Sequence, residues 1–251
     1  MHALADVFIV FHREWIAEFL LRWGHVLAGI VWIGLLYYFN FVQVPAFAEL
    51  DAGARNQAVD KLASRALWWF RWGAVATLGF GILILAVGPE YQEGSYWKGY
   101  EGIAISTGIL LALTMFANVW LVIWPNQKKV IANARNVLAG GEADPNAAAA
   151  GRKALLASRQ NAIYSFTMLF FMVGCAHFMG KAFSGEISGS HRGIYWAVTI
   201  VIWGVLELNC LGIIGKTAQN PTNWIYENHK RAIVTGLVLV VVWYVLYVAV
   251  L

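Results

Sequence analysis

The stretch RWGHVLAGIVWIGLLYYFN, from Arg22 to Asn40, is the clearest indication of how this chain folds. It is apolar almost throughout, and it is about as long as the roughly 20 residues that an α-helix needs to cross the hydrocarbon core of a bilayer. His25 lies inside this apolar run. Because an ionisable side chain is costly to keep within a membrane, the stretch predicts a spanning helix with a functional histidine.

The rest of the chain has the same character. Hydrophobic residues make up 60% of the sequence and charged residues 13%, a composition typical of polytopic membrane proteins. Neither Cys175 nor Cys210 belongs to a CxxCH motif, and both are predicted to be buried thiols. The sequence therefore predicts one all-α domain over 1–251, a transmembrane bundle of about six spanning helices. The runs that define these helices are 15–46, 66–88, 102–124, 162–180, 193–215 and 232–251.

Two segments lie outside these runs. Residues 1–14 show no cleavage site and are predicted to form an interfacial segment on the outer side of the membrane. Residues 125–161 are predicted to form a cytoplasmic helical hairpin with a turn at 140–145. Its basic charges are interpreted as a solvated face, with contact to anionic lipid headgroups as the alternative. Pro45 is predicted to end the first helix.

Lysine and arginine are distributed unevenly between alternate loops. Thirteen lie on one side of the predicted membrane and five on the other. The richer side faces the cytoplasm under the positive-inside rule. The sequence thus predicts a protein of the bacterial inner membrane with both termini in the periplasm. The net charge of +4 is shared among loops and indicates no nucleic-acid partner, leaving the lipid bilayer as the surrounding phase.

One stripe of the first helix gathers residues suited to a flat cofactor. At roughly 100° per residue, His25, Gly29 and Trp32 face one neighbour, and Arg22 and Ala28 lie along the same stripe. Imidazole can ligate haem iron, small residues let a macrocycle approach the backbone, and Arg22 can pair with a propionate. The alternative is a helix-packing face with one hydrogen-bonded histidine.

A second histidine, His177, lies within the fourth predicted span. Counted at about 1.5 Å per residue from the outer ends of their helices, His25 and His177 both fall in the outer half of the bilayer. Two facing imidazoles at one depth can hold a single haem b, and chance agreement in depth is the alternative. Zinc or copper is less favoured, because two histidines without cysteine or carboxylate partners make an incomplete set. The predicted apolar wall beside His177 consists of Phe166, Phe170, Val173 and Gly174.

A separate polar group is predicted toward the cytoplasmic side. Glu207 is the only acidic residue deep within a predicted span, so it is expected to be protonated or paired and to transfer protons or hold a polar substrate. The alternative is a structural hydrogen-bond cluster that joins helices. Glu207, Asn40 and Asn118 are the candidate catalytic residues, and Gln43 and Asn209 complete the group.

Several sequence patches carry a family resemblance that covers most of the chain. They are Arg22-Trp23-x-His25, Trp32-Ile33-Gly34, Tyr37-Tyr38-Phe39-Asn40, Trp124-Pro125-Asn126-Gln127, Ser158-Arg159-Gln160-Asn161, Leu169-Phe170-Phe171-Met172 and His177. Together they resemble the membrane domain of the bacterial cytochrome-linked urate oxidases, or urate hydroxylases. More distantly, the histidine followed by Trp-x-Gly looks like membrane haem proteins of the protoporphyrinogen-oxidase and copper-resistance type.

The resemblance implies a haem b membrane oxidoreductase of urate-oxidase type. In that family a periplasmic c-type cytochrome domain follows the membrane domain and takes the electrons. This sequence stops at Leu251, so the expected acceptor is a separate c-type cytochrome. The competing interpretation is a non-catalytic subunit, haem-bearing or structural, of a larger respiratory or photosynthetic membrane complex. Porphyrinogen oxidation is a third and weaker alternative.

Overall fold

The structure is a computed structural model that describes residues 16–251, with side chains from residue 19 onward. The predicted interfacial segment 1–14 lies outside the described residues. Within them the chain is all-helical, and six helices are long and apolar enough to span a membrane, so the predicted fold class is confirmed. We number these helices α1 Phe19–Glu49, α2 Ala52–Val87, α3 Tyr100–Leu138, α4 Ala147–Ala182, α5 Gly189–Cys210 and α6 His229–Val250.

Polar side chains cap the N-termini of three of these helices, α2, α5 and α6. The Asp51 carboxylate accepts a hydrogen bond from the Ala54 N–H at 2.9 Å, and α2 begins directly after it. Ser188 and Asn228 cap α5 and α6 in the same way. Each cap satisfies an N–H group that the first turn of a helix leaves unpaired, so helix starts are fixed locally.

The first helix continues past Pro45, so the predicted helix end there is wrong. The chain stays helical to Glu49, and a π-helical segment, Tyr38–Gln43, lies just before the proline. Proline cannot donate an N–H and crowds the preceding turn, and a wider turn accommodates both effects. The third helix repeats this arrangement, with the π-helical segment Asn118–Ile123 ahead of Pro125.

The helical hairpin predicted over 125–161 is present, with its turn at 139–146, and its two arms are continuous with the spanning helices. Helix α3 runs unbroken to Leu138, and α4 begins at Ala147. Between them Gly140 has a φ of 86°, a left-handed conformation that favours glycine. Helix α5 also differs from its prediction, because it ends at Cys210 and the chain turns at Gly212, which has a φ of 79°.

Helix α4 is the central element of the bundle. Its most apolar window is 50% buried, compared with 22% for α1 and for α6. It packs along α3 and α6 and meets α1 over a shorter length. Helices α1 and α2 pack closely. A Cβ added at Gly24 of α1 would lie only 2.6 Å from the Phe80 ring of α2, which leaves room for glycine alone.

The two ends of the bundle are chemically distinct. We call the end with loops 88–99 and 183–188 the terminal end, since the Tyr100 hydroxyl there donates to the carbonyl of Leu251 at 2.8 Å. We call the end with turns 50–51, 139–146 and 211–228 the basic end, because most lysines and arginines lie there. Between the ends, large apolar side chains cover the exterior, as lipid contact requires; Leu121, for example, is 75% exposed.

Candidate functional site

His25 has a defined partner on the neighbouring helix. Its Nδ1 lies 2.9 Å from the carbonyl oxygen of Thr77 in α2. A carbonyl oxygen can only accept, so Nδ1 carries the proton and Nε2 keeps a free lone pair. The ring fits because residue 81 is glycine; a Cβ at Gly81 would lie 3.2 Å from Cε1 of His25. The sequence predicted neither Thr77 nor Gly81.

The two histidines occupy matching positions on antiparallel helices. The Tyr37 hydroxyl and the Ser165 hydroxyl are 2.8 Å apart, which joins α1 to α4. His25 lies twelve residues from Tyr37, and His177 lies twelve residues from Ser165, toward the same end of the bundle. At about 1.5 Å per residue, each is about 18 Å beyond the hydrogen bond. On each helix, residues four apart form a row that leads from the hydrogen bond to the histidine. The two histidine rows are Tyr37–Ile33–Gly29–His25 and Ser165–Leu169–Val173–His177.

Toward the terminal end, positions on both rows are less closely packed, and the His25 ring lies against Thr77 and Gly81 of α2. Leu36 is fully buried. Gly29 lies two turns away on the same face of α1, and a Cβ added there would meet nothing within 4 Å. On α4, Val173 is 58% exposed and His177 is also exposed, within the π-helical segment Cys175–Met179. Helices α1 and α4 therefore pack closely near Tyr37 and leave accessible surface beside the histidines.

The other residues predicted to line a haem point in several directions. Arg22 pairs with Glu90 at 3.0 Å and also donates to the Tyr91 hydroxyl at 3.1 Å. Trp32 is only 2% exposed, with its backbone against Gly73 of α2.

On α4 the predicted wall is divided between neighbours. The ring of Phe170 packs on Tyr244 of α6 at 5.4 Å, and that of Phe166 stacks on Tyr37 at 5.7 Å. A Cβ added at Gly174 would lie 3.0 Å from the Met179 side chain. Phe166 thus lies between α1 and α6, because a Cβ added at Gly236 of α6 would collide with its ring, whereas Phe170 contacts α6.

An aromatic loop covers the terminal end beside the histidines. The Tyr96 hydroxyl lies 3.3 Å from Sγ of Cys175, and its ring packs edge-on against Tyr91 at 5.1 Å. Burial, followed by the contact with Cys175, raises the pKa of Tyr96 well above its usual range. Through Arg22, Tyr91 and Tyr96, this loop connects the start of α1 to the end of α4.

Two of the three candidate catalytic residues meet in the other half of the bundle. The Asn118 amide donates to Oε2 of Glu207 at 3.3 Å and to Oδ1 of Asn161 at 3.0 Å. The Asn161 amide in turn donates to the carbonyl of Met115 at 2.9 Å. Glu207 is 7% exposed, and no salt bridge engages it within residues 16–251. Helices α3, α4 and α5 therefore meet at a buried carboxyl–amide cluster.

Asn40 belongs to a different contact. Its amide donates to the Ser158 hydroxyl at 2.8 Å and to the carbonyl of Leu36 at 2.9 Å. Asn209, also predicted in the group, donates to the carbonyl of Thr222 at 2.8 Å. The predicted polar group is therefore split into separate contacts around α4 and the 211–228 turn.

The carboxyl cluster and the histidines are far apart along the bundle. Asn161, a member of the cluster, precedes His177 by sixteen residues on α4, which corresponds to about 24 Å. In the described part of the chain, no group of three or more His, Cys, Asp or Glu side chains is placed to hold a metal ion. A haem held by two histidines does not require such a group.

One known protein family matches part of this chain. Residues 95–206 match the urate oxidase N-terminal family. The segment is somewhat less than half of the chain and contains Asn118, Asn161 and His177, while His25 and Glu207 lie outside it. This match supports a urate-oxidase-related family. No curated protein and no solved structure matches the chain.

Proposed function

We propose that this chain is a haem b membrane oxidoreductase of urate-oxidase type that passes electrons to a separate c-type cytochrome. The observation that carries the proposal is the matched placement of His25 and His177 relative to the Tyr37–Ser165 hydrogen bond. The match of residues 95–206 to the urate oxidase N-terminal family supports the class of substrate.

The residues at the terminal end suit a haem. His25 and His177 would hold it, and when bound it would supply one-electron transfer. The Thr77 carbonyl keeps the proton of His25 on Nδ1, which leaves Nε2 free to act as a ligand. Gly29 faces open space, and the exposed His177 ring has no side-chain hydrogen bond among the described residues. Arg22 is already paired with Glu90, so a propionate would have to share that guanidinium.

Glu207 is proposed to transfer protons, with Asn118 as its positioning residue. Oxidation of a purine substrate releases protons as well as electrons. The distance of the carboxyl cluster from His177 argues against one substrate molecule touching both. The Glu207 carboxyl, held by the Asn118 amide at 3.3 Å and without a cation partner in the described chain, can take up and release a proton. Asn40, bonded to Ser158, is assigned to helix contact instead.

The function is tested by urate-dependent reduction of a soluble c-type cytochrome. We expect the purified chain to reduce the cytochrome when urate is added, and the His25→Ala and His177→Ala variants to lose this activity. His191→Ala is the matched control, because His191 is exposed near the start of α5 and lies in neither row. Haem without urate turnover, in a chain isolated only in fixed stoichiometry with other subunits, would favour the non-catalytic subunit instead.

A further inference from the structure

A basic pocket lies between α2 and α3 at the basic end of the bundle. Its volume is about 420 Å³. Both helices contribute cationic and indole side chains to its wall, namely Arg65, Trp68, Trp124, Lys128 and Arg135. None of the acidic residues that the structure describes lines it. This pocket is remote from the histidine rows and does not depend on the proposed haem.

Most of the positive charge around the pocket is not neutralised by ion pairs. Asp60 forms salt bridges with Arg135 at 2.5 Å and with Lys61 at 2.8 Å. Within residues 16–251, no salt bridge engages Arg65 or Lys128. The pocket therefore presents cations that an anionic ligand can neutralise.

Stacked aromatic side chains hold part of the pocket wall in place. The Arg71 guanidinium lies 3.3 Å from the centroid of the Trp124 ring, and the Lys128 ammonium lies 5.6 Å from the same centroid. Cation–π contacts of this kind orient the indole and the charges together. The binding surface is thus formed before any ligand arrives.

The position of the pocket along the helices matches the level of lipid headgroups. Trp68, Trp69 and Trp72 of α2 are 48%, 60% and 47% exposed, and tryptophan concentrates at the membrane–water boundary. Leu121 precedes Trp124 by three residues on α3, toward the middle of the membrane, and is apolar and 75% exposed. A ligand with a charged head and an apolar tail can use both surfaces, whereas a free anion can use only the first.

We propose that this pocket binds the phosphate headgroup of an anionic phospholipid, with an acyl chain lying along Trp72 and Leu121. Zwitterionic lipids carry an ammonium group, and the pocket lining offers that group no carboxylate. Phosphatidylglycerol, which carries a phosphate and hydroxyl groups, meets only complementary charges and hydrogen-bond donors there.

The test is native mass spectrometry of the whole chain in detergent with phosphatidylglycerol or phosphatidylcholine. We expect the chain to retain one phosphatidylglycerol in preference to phosphatidylcholine. The double variant Arg65→Gln/Lys128→Gln should lower that preference by about 25-fold, because each basic side chain near anionic lipid contributes roughly fivefold. Lys129→Gln/Lys153→Gln is the control, since it removes the same charge from exposed positions outside the pocket.

Three results would overturn the proposal. An equal loss in the control variant would indicate general charge attraction, and unchanged binding in the pocket variant would place the lipid elsewhere. Displacement of the lipid by equimolar inorganic phosphate would indicate a free-phosphate site. Arg65 and Lys128 are exposed and form no salt bridge in the described chain, so the variant is expected to fold; the single variant Lys128→Gln, with about a fivefold loss, provides a second test.

Discussion

Gly79 and Gly81 lie two residues apart on α2, yet only one of them faces a histidine. A Cβ at Gly81 would crowd Cε1 of His25 at 3.2 Å, whereas a Cβ at Gly79 would meet nothing within 4 Å. We expect Gly81→Ala to displace the imidazole from the Thr77 carbonyl and to weaken haem retention about tenfold, within the range for residues that orient metal ligands. Haem transfer to excess apomyoglobin measures this retention.

Gly79→Ala is the matched control for that substitution. It makes the same chemical change in the same helix, so it should leave haem retention unchanged. Equal effects of the two variants would show that the contact between Gly81 and His25 has no part in holding the cofactor.

Glu207→Gln keeps the shape of the buried side chain and removes its ability to exchange a proton. If Glu207 transfers protons, urate turnover should fall and its pH profile should flatten, while the haem spectrum stays unchanged. Glu142→Gln is the control, because Glu142 is an exposed carboxylate in the turn between α3 and α4. A Glu207→Gln protein with full activity and an unaltered pH profile would show that the carboxyl–amide cluster serves only as a helix contact.

The short helix Pro221–Tyr226 attaches the 211–228 turn to α4. The Tyr226 hydroxyl donates to Oε1 of Gln160 at 2.5 Å and to the carbonyl of Leu206 at 3.1 Å. Tyr226→Phe leaves these buried acceptors without their donor, so we expect about 1–3 kcal/mol of destabilisation. Thermal unfolding in detergent measures it, with Tyr244→Phe as a control whose hydroxyl makes no hydrogen bond in the described chain.

The stability that Tyr226 contributes should fall at alkaline pH. Burial raises the pKa of Tyr226 above its usual range. A free phenol ionises near 10, so the contribution of Tyr226 to stability is fully present below about pH 10 and is lost as the pH rises further. The difference in stability between the natural chain and Tyr226→Phe should therefore shrink above pH 10. A difference that stays constant to higher pH would contradict the burial of this phenol.

The unequal distribution of lysine and arginine predicts that Leu251 faces the periplasm and that the 139–146 turn faces the cytoplasm. Alkaline phosphatase fused after Leu251 should be active, and the same enzyme inserted in that turn should be inactive. The reverse pattern would invert the orientation. The shared depth of His25 and His177 would then refer to the inner leaflet.

Hydrophobic runs were enough to predict the six spans, because membrane burial depends mainly on the length of apolar sequence. The polar residues within these spans also predicted that Asn118 and Glu207 belong to one group, since polar side chains in a membrane pair with each other. The sequence could not assign Asn40 to Ser158, because that pairing depends on how α1 crosses α4. Thr77 was missed since it contributes a backbone carbonyl, which every residue has. The continuation of α1 past Pro45 depends on a π-helical turn that has no clear sequence signature.

The absorption spectrum of the detergent-purified chain, oxidised and then reduced with dithionite, tests whether His25 and His177 hold a haem. Iron held by two imidazoles should give one low-spin haem b per chain, and His25→Ala or His177→Ala should each abolish that spectrum while the protein still inserts into the membrane. A natural chain without haem, or a His177→Ala variant with an unaltered haem spectrum, would contradict the assignment of His25 and His177 as haem ligands.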